Sequence, residues 1–388
     1  MASRADAPIR TALVGFGGIA GGLHVPLLAS LPEYTITAVV ARSDDAAASA
    51  AQAVPDATVH RSVRALLEAR DDLDLAVVTA RDDAHVELGH ALLAAGIPTV
   101  IEKPLAPTAE GAERLLAAAR GAGVPVLAFQ NKRWDRDYAT VAAAVRRGEV
   151  GEVLRYESWI VRWSPAIWDN WREQARPGTL DGPLADIGSH QVDQAVALLG
   201  PVVSVSAELD RRRPATQVVD DAFLALEHTS GARSHLHFGA MTSWPTPGFV
   251  VQGTEAALVS TGQDGQFAAI FNGVDPLDER WGTFDSFEVV RHAGGPPGPV
   301  PLPGEASPVA AEQVDARDFY RLLAAALRNG GRLPVPPDES LHVLRILEAA
   351  ARSAEQGGAP VRLEHGGHGI DPGARGQDRR DPAVSISR

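Results

Sequence analysis

The sequence predicts an α/β protein in two parts: a doubly wound parallel sheet over residues 1–130, then an α+β domain over 131–364 with an open, largely antiparallel sheet. Three observations carry this. Short apolar runs alternate with helical segments through the first third of the chain. A glycine-rich turn directly follows the first run. Beyond residue 153 the runs lengthen and alternate apolar with polar residues, the pattern of strands with one face on a core.

In order, residues 9–18 (IRTALVGFGG) form a buried strand feeding a tight turn, and a helix follows. The β-branched run 34–41 (YTITAVVA) is a second strand, and the alanine-rich stretch 46–53 is a helix. Next come a helix over 63–68, a strand at 75–79 (LAVVT), a helix through 85–95, a strand at 99–101, a helix over 109–120 and a strand at 126–129. Such alternation is the mark of parallel crossover units. After residue 130 the runs VLRYESWIV, VSVSAEL, AFLALEH and SHLHFGA read as antiparallel strands. One helix interrupts them at 183–199, and two more follow at 314–328 and 338–356. The Gly- and Pro-rich stretch 292–308 is a loop by composition, and 365–388 is a tail expected to be disordered.

Composition narrows the function. The 388 residues carry 36 basic and 49 acidic side chains, and a net charge of −13 disfavours nucleic acid as a partner. No apolar run approaches the roughly 20 residues that cross a bilayer, so no membrane role is expected. The absence of cysteine excludes disulfides, thiolate catalysis and cysteine-ligated zinc. Residues 1–18 lack the apolar stretch and cleavage site of a secretory signal, which makes the cytoplasm the expected location. Only Lys103 and Lys132 are lysine; every other basic residue is arginine. A position that keeps lysine here is a candidate for chemistry needing a compact ammonium, although codon bias also accounts for the pattern.

Gly15, Gly17 and Ala20 form G-x-G-x-x-A after the first strand and ahead of a helix, the context in which a dinucleotide binds. The first glycine permits the turn and the second lets a pyrophosphate approach the backbone. The small third residue allows close packing of the helix, whose N-terminal N–H groups face the phosphates. At the end of the second strand, where an NAD site usually carries an acid for the ribose diol, the chain has Arg42 and Ser43, with Asp44 and Asp45 only afterwards. A cation and a hydroxyl suit a 2′-phosphate, so NADP is expected over NAD; Asp44 reaching back to the diol is the alternative.

Lys103, in the sequence Glu102-Lys103-Pro104, emerges at the carboxyl edge of the sheet, where ligands bind in such folds. Its ammonium can hold a substrate hydroxyl and stabilise charge as the proton leaves; a surface lysine beside a turn proline is the plainer alternative. By spacing, Asp186, His190 and Asp193 share one helix face. That fits a base with its orienter, or a helix cap and a half-buried histidine. No metal is expected, since these three alone specify a metal site poorly. Asn131, Lys132, Arg133, Trp134 and Asp135 cluster between the domains, and Trp159, Trp163, Trp168 and Trp171 follow. An aromatic wall beside polar groups suits a sugar or cyclitol, and a tryptophan-rich sheet core suits the pattern equally.

The stretches VGFGGIAGGLHVPLL, HALLAAGIPTVIEKP, FQNKRWD and DIGSHQVD, in that order, resemble the glucose-fructose oxidoreductase and inositol dehydrogenase (Gfo/Idh/MocA) family up to about Leu363. The nearest group is its NADP-dependent scyllo-inositol dehydrogenase-like sugar oxidoreductases. The resemblance implies a Rossmann domain and hydride transfer between nicotinamide and a secondary alcohol or ketone of a sugar or inositol. It implies Lys103, Asp186 and His190 as catalytic residues: His190 as general acid/base, Asp186 as its partner, and Lys103 positioning hydroxyl and nicotinamide. Implied cofactor contacts are Gly15, Phe16, Gly17, Gly18, Ile19, Ala20, Arg42, Ser43, Thr79, His85, Glu102 and Lys103. Implied substrate contacts are Asn131, Arg133 and Trp134 beside the catalytic three. A homo-oligomer, dimer or tetramer, paired through the exposed sheet face, is implied as well. The chain departs from the family at Thr79-Ala80-Arg81, where threonine-proline-asparagine is common, and at Ala20, where many relatives have glycine. The family also includes non-catalytic nucleotide-binding regulators, and glycosidases and isomerases that use the nicotinamide transiently; these are the alternatives.

Overall fold

The computed structural model describes residues 7–69, 72–167, 173, 174, 180, 182, 184–278, 281, 287–295 and 304–363. The expected tail at 365–388, and Trp168 and Trp171, lie outside the described residues. Six strands form a parallel sheet: β1 (Ile9–Val14), β2 (Tyr34–Val40), β3 (Thr58–His60), β4 (Leu75–Val78), β5 (Thr99–Glu102) and β6 (Val126–Phe129). Their order is β3-β2-β1-β4-β5-β6, so the winding reverses between β1 and β4 and opens a crevice at their carboxyl ends. Helices α1 (Val25–Ala29), α2 (Asp44–Ala53), α3 (Val63–Glu68), α4 (His85–Ala94) and α5 (Ala109–Ala122) belong to this domain. Because both sheet faces are covered, β4 and β6 are buried at every residue and read as unbroken apolar runs. Ser43, Ser62 and Thr108 cap α2, α3 and α5, each accepting the N–H of the residue three further on.

The second sheet contains β7 (Val153–Val161), β8 (Val202–Asp210), β9 (Asp221–His228), β10 (Arg233–Gly239), β11 (Phe249–Gly253), β12 (Ala256–Gly262), β13 (Phe287–Ala293), β14 (Ala306–Pro308) and β15 (Val361–Arg362). Among the described residues its order is β14-β13-β12-β11-β7-β10-β9-β8-β15. Among the described residues only the β7–β10 pair is parallel. Along β9 buried and half-buried residues alternate strictly, as a sheet with one covered face requires. The covered face packs on α6 (Arg136–Arg146), α7 (Ser189–Leu199) and α10 (Pro337–Glu355), through residues such as Val141, Val192 and Leu344. Two further helices, α8 (Gln266–Phe271) and α9 (Arg317–Asn329), close the other side of the first sheet, where Ile270, Phe319 and Tyr320 pack with Leu13, Leu127 and Phe129. The α10 helix also binds back to the first domain, with Glu348 accepting the Ala109 N–H at 2.7 Å.

Several expectations change. The stretch 292–308 is not all loop, because Ala306–Pro308 pairs with β13 as an edge strand. The predicted helix at 183–199 starts with a π turn, Leu184–Gly188, before α7. No predicted range covers strands β3, β11, β12, β13 and β15 or helices α6 and α8. Among the described residues no helix is long and apolar enough to cross a membrane.

Candidate active site

Gly15 follows β1 with φ +99°, and a Cβ there would lie 2.8 Å from the Ala80 nitrogen, so only glycine fits. The strands are laced at this point: Gly15 N–H donates to Val40 O at 2.9 Å, and Thr79 Oγ1 donates to Gly15 O at 2.8 Å. At Gly17 and Gly18 a Cβ would meet nothing within 4 Å. Open space over successive backbone N–H groups at a strand-to-helix turn is what a dinucleotide pyrophosphate requires, and the residues present fit it. Ala20 is fully buried, while Phe16 and Ile19 pack half-buried against the neighbouring core. The helix that follows opens as a π turn, Ala20–His24, rather than as ordinary α-helix.

At the far end of the crevice Ser43 Oγ is the cap of α2, accepting Ala46 N–H at 3.2 Å, beside the exposed Arg42. Arg61, immediately after β3, donates to Asp44 Oδ1 at 2.5 Å and to Ser43 O at 2.9 Å. Asp44, the carboxylate expected as the alternative partner of the diol, is thus already paired with a guanidinium. Sequence reading missed Arg61 because a three-residue edge strand leaves no periodicity to read. His85, expected as a cofactor contact, is engaged within the protein. It is buried, with Nδ1 2.9 Å from Pro104 O and Nε2 3.1 Å from Ala80 O, so neither nitrogen is offered to a ligand. Burial holds its pKa below the usual histidine range.

Lys103 leaves the carboxyl end of β5 and meets the second π turn. Its Nζ donates to the Asp186 carboxylate and, at 2.9 Å, to the Asp186 carbonyl. His190 lies on the first turn of α7, buried, with Nδ1 2.9 Å from Gln130 Oε1. An amide oxygen only accepts, so Nδ1 carries the proton and Nε2 keeps its lone pair. Burial, then the Lys103 and Lys132 ammoniums, hold the His190 pKa well below the usual value. Asp186 is engaged by Lys103, and Gln130, which no sequence signal marked, faces Nδ1 of the imidazole. Lys103, Asp186 and His190 do come together.

The other cluster members divide. Arg133 donates through Nε and Nη2 to both oxygens of Asp193 at 2.7 and 2.6 Å, and to Glu339 at 2.9 Å. This ion pair draws Asp193 away from the Asp186–His190 set and makes Arg133 a brace between the Asn131–Trp134 turn, α7 and α10. Lys132 donates to Asp135 at 2.6 Å. Burial pushes the Asp135 carboxyl up to about 7, opposed by Lys132 and reinforced by Asp137 and Asp264. Asn131 is half-buried, and Trp134 stands edge-on to Phe319. Among the described residues the tryptophans of this cluster do not form one wall: Trp159 stacks on His237, 5.2 Å between centroids, on the second sheet, while Trp163 is exposed.

A family model described as an oxidoreductase family with NAD-binding Rossmann fold matches residues 9–129, and the GFO/IDH/MocA C-terminal domain model matches 138–259. The chain is 29% identical to scyllo-inositol 2-dehydrogenase (NADP(+)) IolW of Bacillus subtilis, over 92% of this chain and 96% of that protein. It is 31% identical to the oxidoreductase C115.03 of Schizosaccharomyces pombe, over 90% of this chain and 98% of that one. Among solved structures, yvaA of Bacillus subtilis matches with a TM-score of 0.83 at 28% identity, covering 93% of this chain and all of that chain.

Proposed function

The chain belongs to the GFO/IDH/MocA family of NAD(P)-binding oxidoreductases, and from that premise we propose that it is an NADP-dependent dehydrogenase acting on a secondary alcohol of a sugar or inositol. The carrying observation is the Lys103, Asp186 and His190 cluster, in which the imidazole keeps Nε2 available because Gln130 takes Nδ1–H. When bound, the nicotinamide supplies the acceptor or donor of hydride. His190 Nε2 takes the hydroxyl proton during oxidation and returns it during reduction. A histidine of such low pKa is unprotonated at neutral pH but weakly basic, so the developing alkoxide needs support from a charge. Lys103 provides it, held in place by the Asp186 carboxylate and carbonyl. Asn131 and Trp134 take the substrate's remaining hydroxyls and ring face.

The backbone at Gly17 and Gly18 would hold the pyrophosphate, and Arg42 with Arg61 the 2′-phosphate. The NADP named in the B. subtilis relative agrees with that choice. A second copy of the chain is assigned to the exposed face of the second sheet. The test is a panel of inositols and aldoses assayed at the absorbance band of reduced nicotinamide, with NADP and with NAD. Reduced NADP formed in step with one polyol supports the reading. Product formed without net reduced cofactor replaces it with transient redox chemistry, and cofactor binding with no turnover of any polyol overturns it.

A further inference from the structure

Two π turns bracket the candidate site, and each delivers a side chain to one of two consecutive residues at the end of β5. The second places Asp186 on Lys103. The first places His24 on Glu102: His24 Nε2 lies 2.8 Å from Glu102 Oε1, and the other carboxylate oxygen accepts the Lys103 N–H at 3.1 Å. A π turn widens the helix by one residue per hydrogen-bonded loop, which re-aims a side chain that an α-helical register would turn elsewhere. His24 is completely buried, against the Phe129 ring at 4.5 Å, in the middle of a polar chain. Its Nδ1 is 2.6 Å from the Tyr320 hydroxyl, on α9.

We infer that His24 is a positioning residue: it fixes Glu102, and through Glu102 the backbone from which Lys103 reaches the substrate. The tautomer follows from the partners. A carboxylate only accepts, so Nε2–H donates to Glu102, and Nδ1 accepts from the Tyr320 hydroxyl. Burial keeps Tyr320 a phenol, its pKa well above the ordinary tyrosine value, so it remains a donor. The chain of bonds runs Tyr320 to His24 to Glu102 to the Lys103 N–H, joining α9, the dinucleotide turn and β5. The turn that would cradle the pyrophosphate thereby also sets the height at which the ammonium leaves the sheet. His24 touches none of the reacting atoms; its effect on turnover passes through Lys103. The inference rests on the reading of Lys103 as the residue that supports the alkoxide.

The test combines variants with a readout that needs no substrate. His24→Leu removes both bonds while filling most of the space, His24→Gln keeps an N–H donor toward Glu102, and Tyr320→Phe removes only the outer donor. Because Lys103 and Lys132 are the only lysines, side-chain-labelled lysine gives two ammonium NMR signals, assigned with Lys132→Arg. His24→Leu is expected to move the Lys103 signal and leave that of Lys132 in place. On a polyol that the unmodified enzyme oxidises, kcat should fall about tenfold or more while the NADP dissociation constant changes less than about threefold. His24→Gln should recover a large part of kcat, and Tyr320→Phe should cost a few-fold alone and nothing further in the His24→Leu background. Unshifted lysine signals in His24→Leu, or equal losses in His24→Leu and His24→Gln, would overturn the inference. If His24→Leu does not fold, Tyr320→Phe carries the test with His24→Gln as its conservative control, and a Lys103 signal unmoved in Tyr320→Phe overturns it. Absence of turnover on any polyol, with the Lys103 signal still moved, strikes the functional reading instead.

Discussion

Gln130→Leu removes the acceptor 2.9 Å from His190 Nδ1 at a site where Gln130 is only 2% exposed, and leaves a side chain of similar size. A buried N–H left without a partner costs about 1–3 kcal/mol. The imidazole can avoid that cost by moving its proton to Nε2. The nitrogen facing the substrate then becomes a donor, and the base is lost from most molecules. At about 1.36 kcal/mol per decade, the penalty converts to a fall in kcat of roughly 5- to 160-fold. Gln130→Glu separates orientation from charge, because it restores the acceptor but adds a carboxylate beside the ring. A carboxylate favours the imidazolium, so the His190 pKa rises, and activity should be retained at alkaline pH and lost as pH falls through the raised value. Steady-state kcat measured from about pH 6 to 9, with thermal unfolding as a control, reads both effects. Unaltered kcat in Gln130→Leu would show that the amide does not set the tautomer.

Other predictions concern the cofactor and the charges around the base. Arg42→Ala should weaken NADP roughly five- to tenfold by removing an exposed charge-assisted contact, and Arg61→Ala should also strengthen NAD by releasing Asp44; cofactor titrations of both variants check this. Gly15→Ala forces a left-handed backbone on a residue with a Cβ and drives it into Ala80, so it should cost about 1–3 kcal/mol in a denaturant melt and abolish cofactor binding. Lys132→Gln removes a positive charge that lowers the His190 pKa, so the acid limb of kcat/KM should move to higher pH, and an unmoved limb would show that Lys132 does not act on the base.

Much of this was legible in the chain because the physics is local. Gly15 is demanded by a close backbone approach, and β4 and β6 read as buried because helices cover both faces. Lys103 lies at a sheet edge that the strand alternation located. What was hidden depends on register and on contacts distant in sequence. The π turns at Ala20–His24 and Leu184–Gly188 leave no trace in an apolar pattern, so neither the contact of His24 with Glu102 nor that of Asp186 with Lys103 is legible there. Gln130 ends an apolar strand and gains its role from a helix 60 residues later. The partners of Arg133, Asp193 and Glu339, are brought to it only by the packing of α7 and α10.

The most direct measurement is kcat of His190→Ala at neutral pH on a polyol that the unmodified enzyme turns over, with the NADP dissociation constant measured on the same preparation. Oxidation of a carbinol requires its hydroxyl proton to leave as hydride departs, and a positioned base contributes on the order of a hundredfold or more. The account predicts a loss of that size, with NADP affinity changed less than about threefold because the pyrophosphate and adenosine contacts are untouched. Turnover by His190→Ala equal to that of the unmodified enzyme would contradict it.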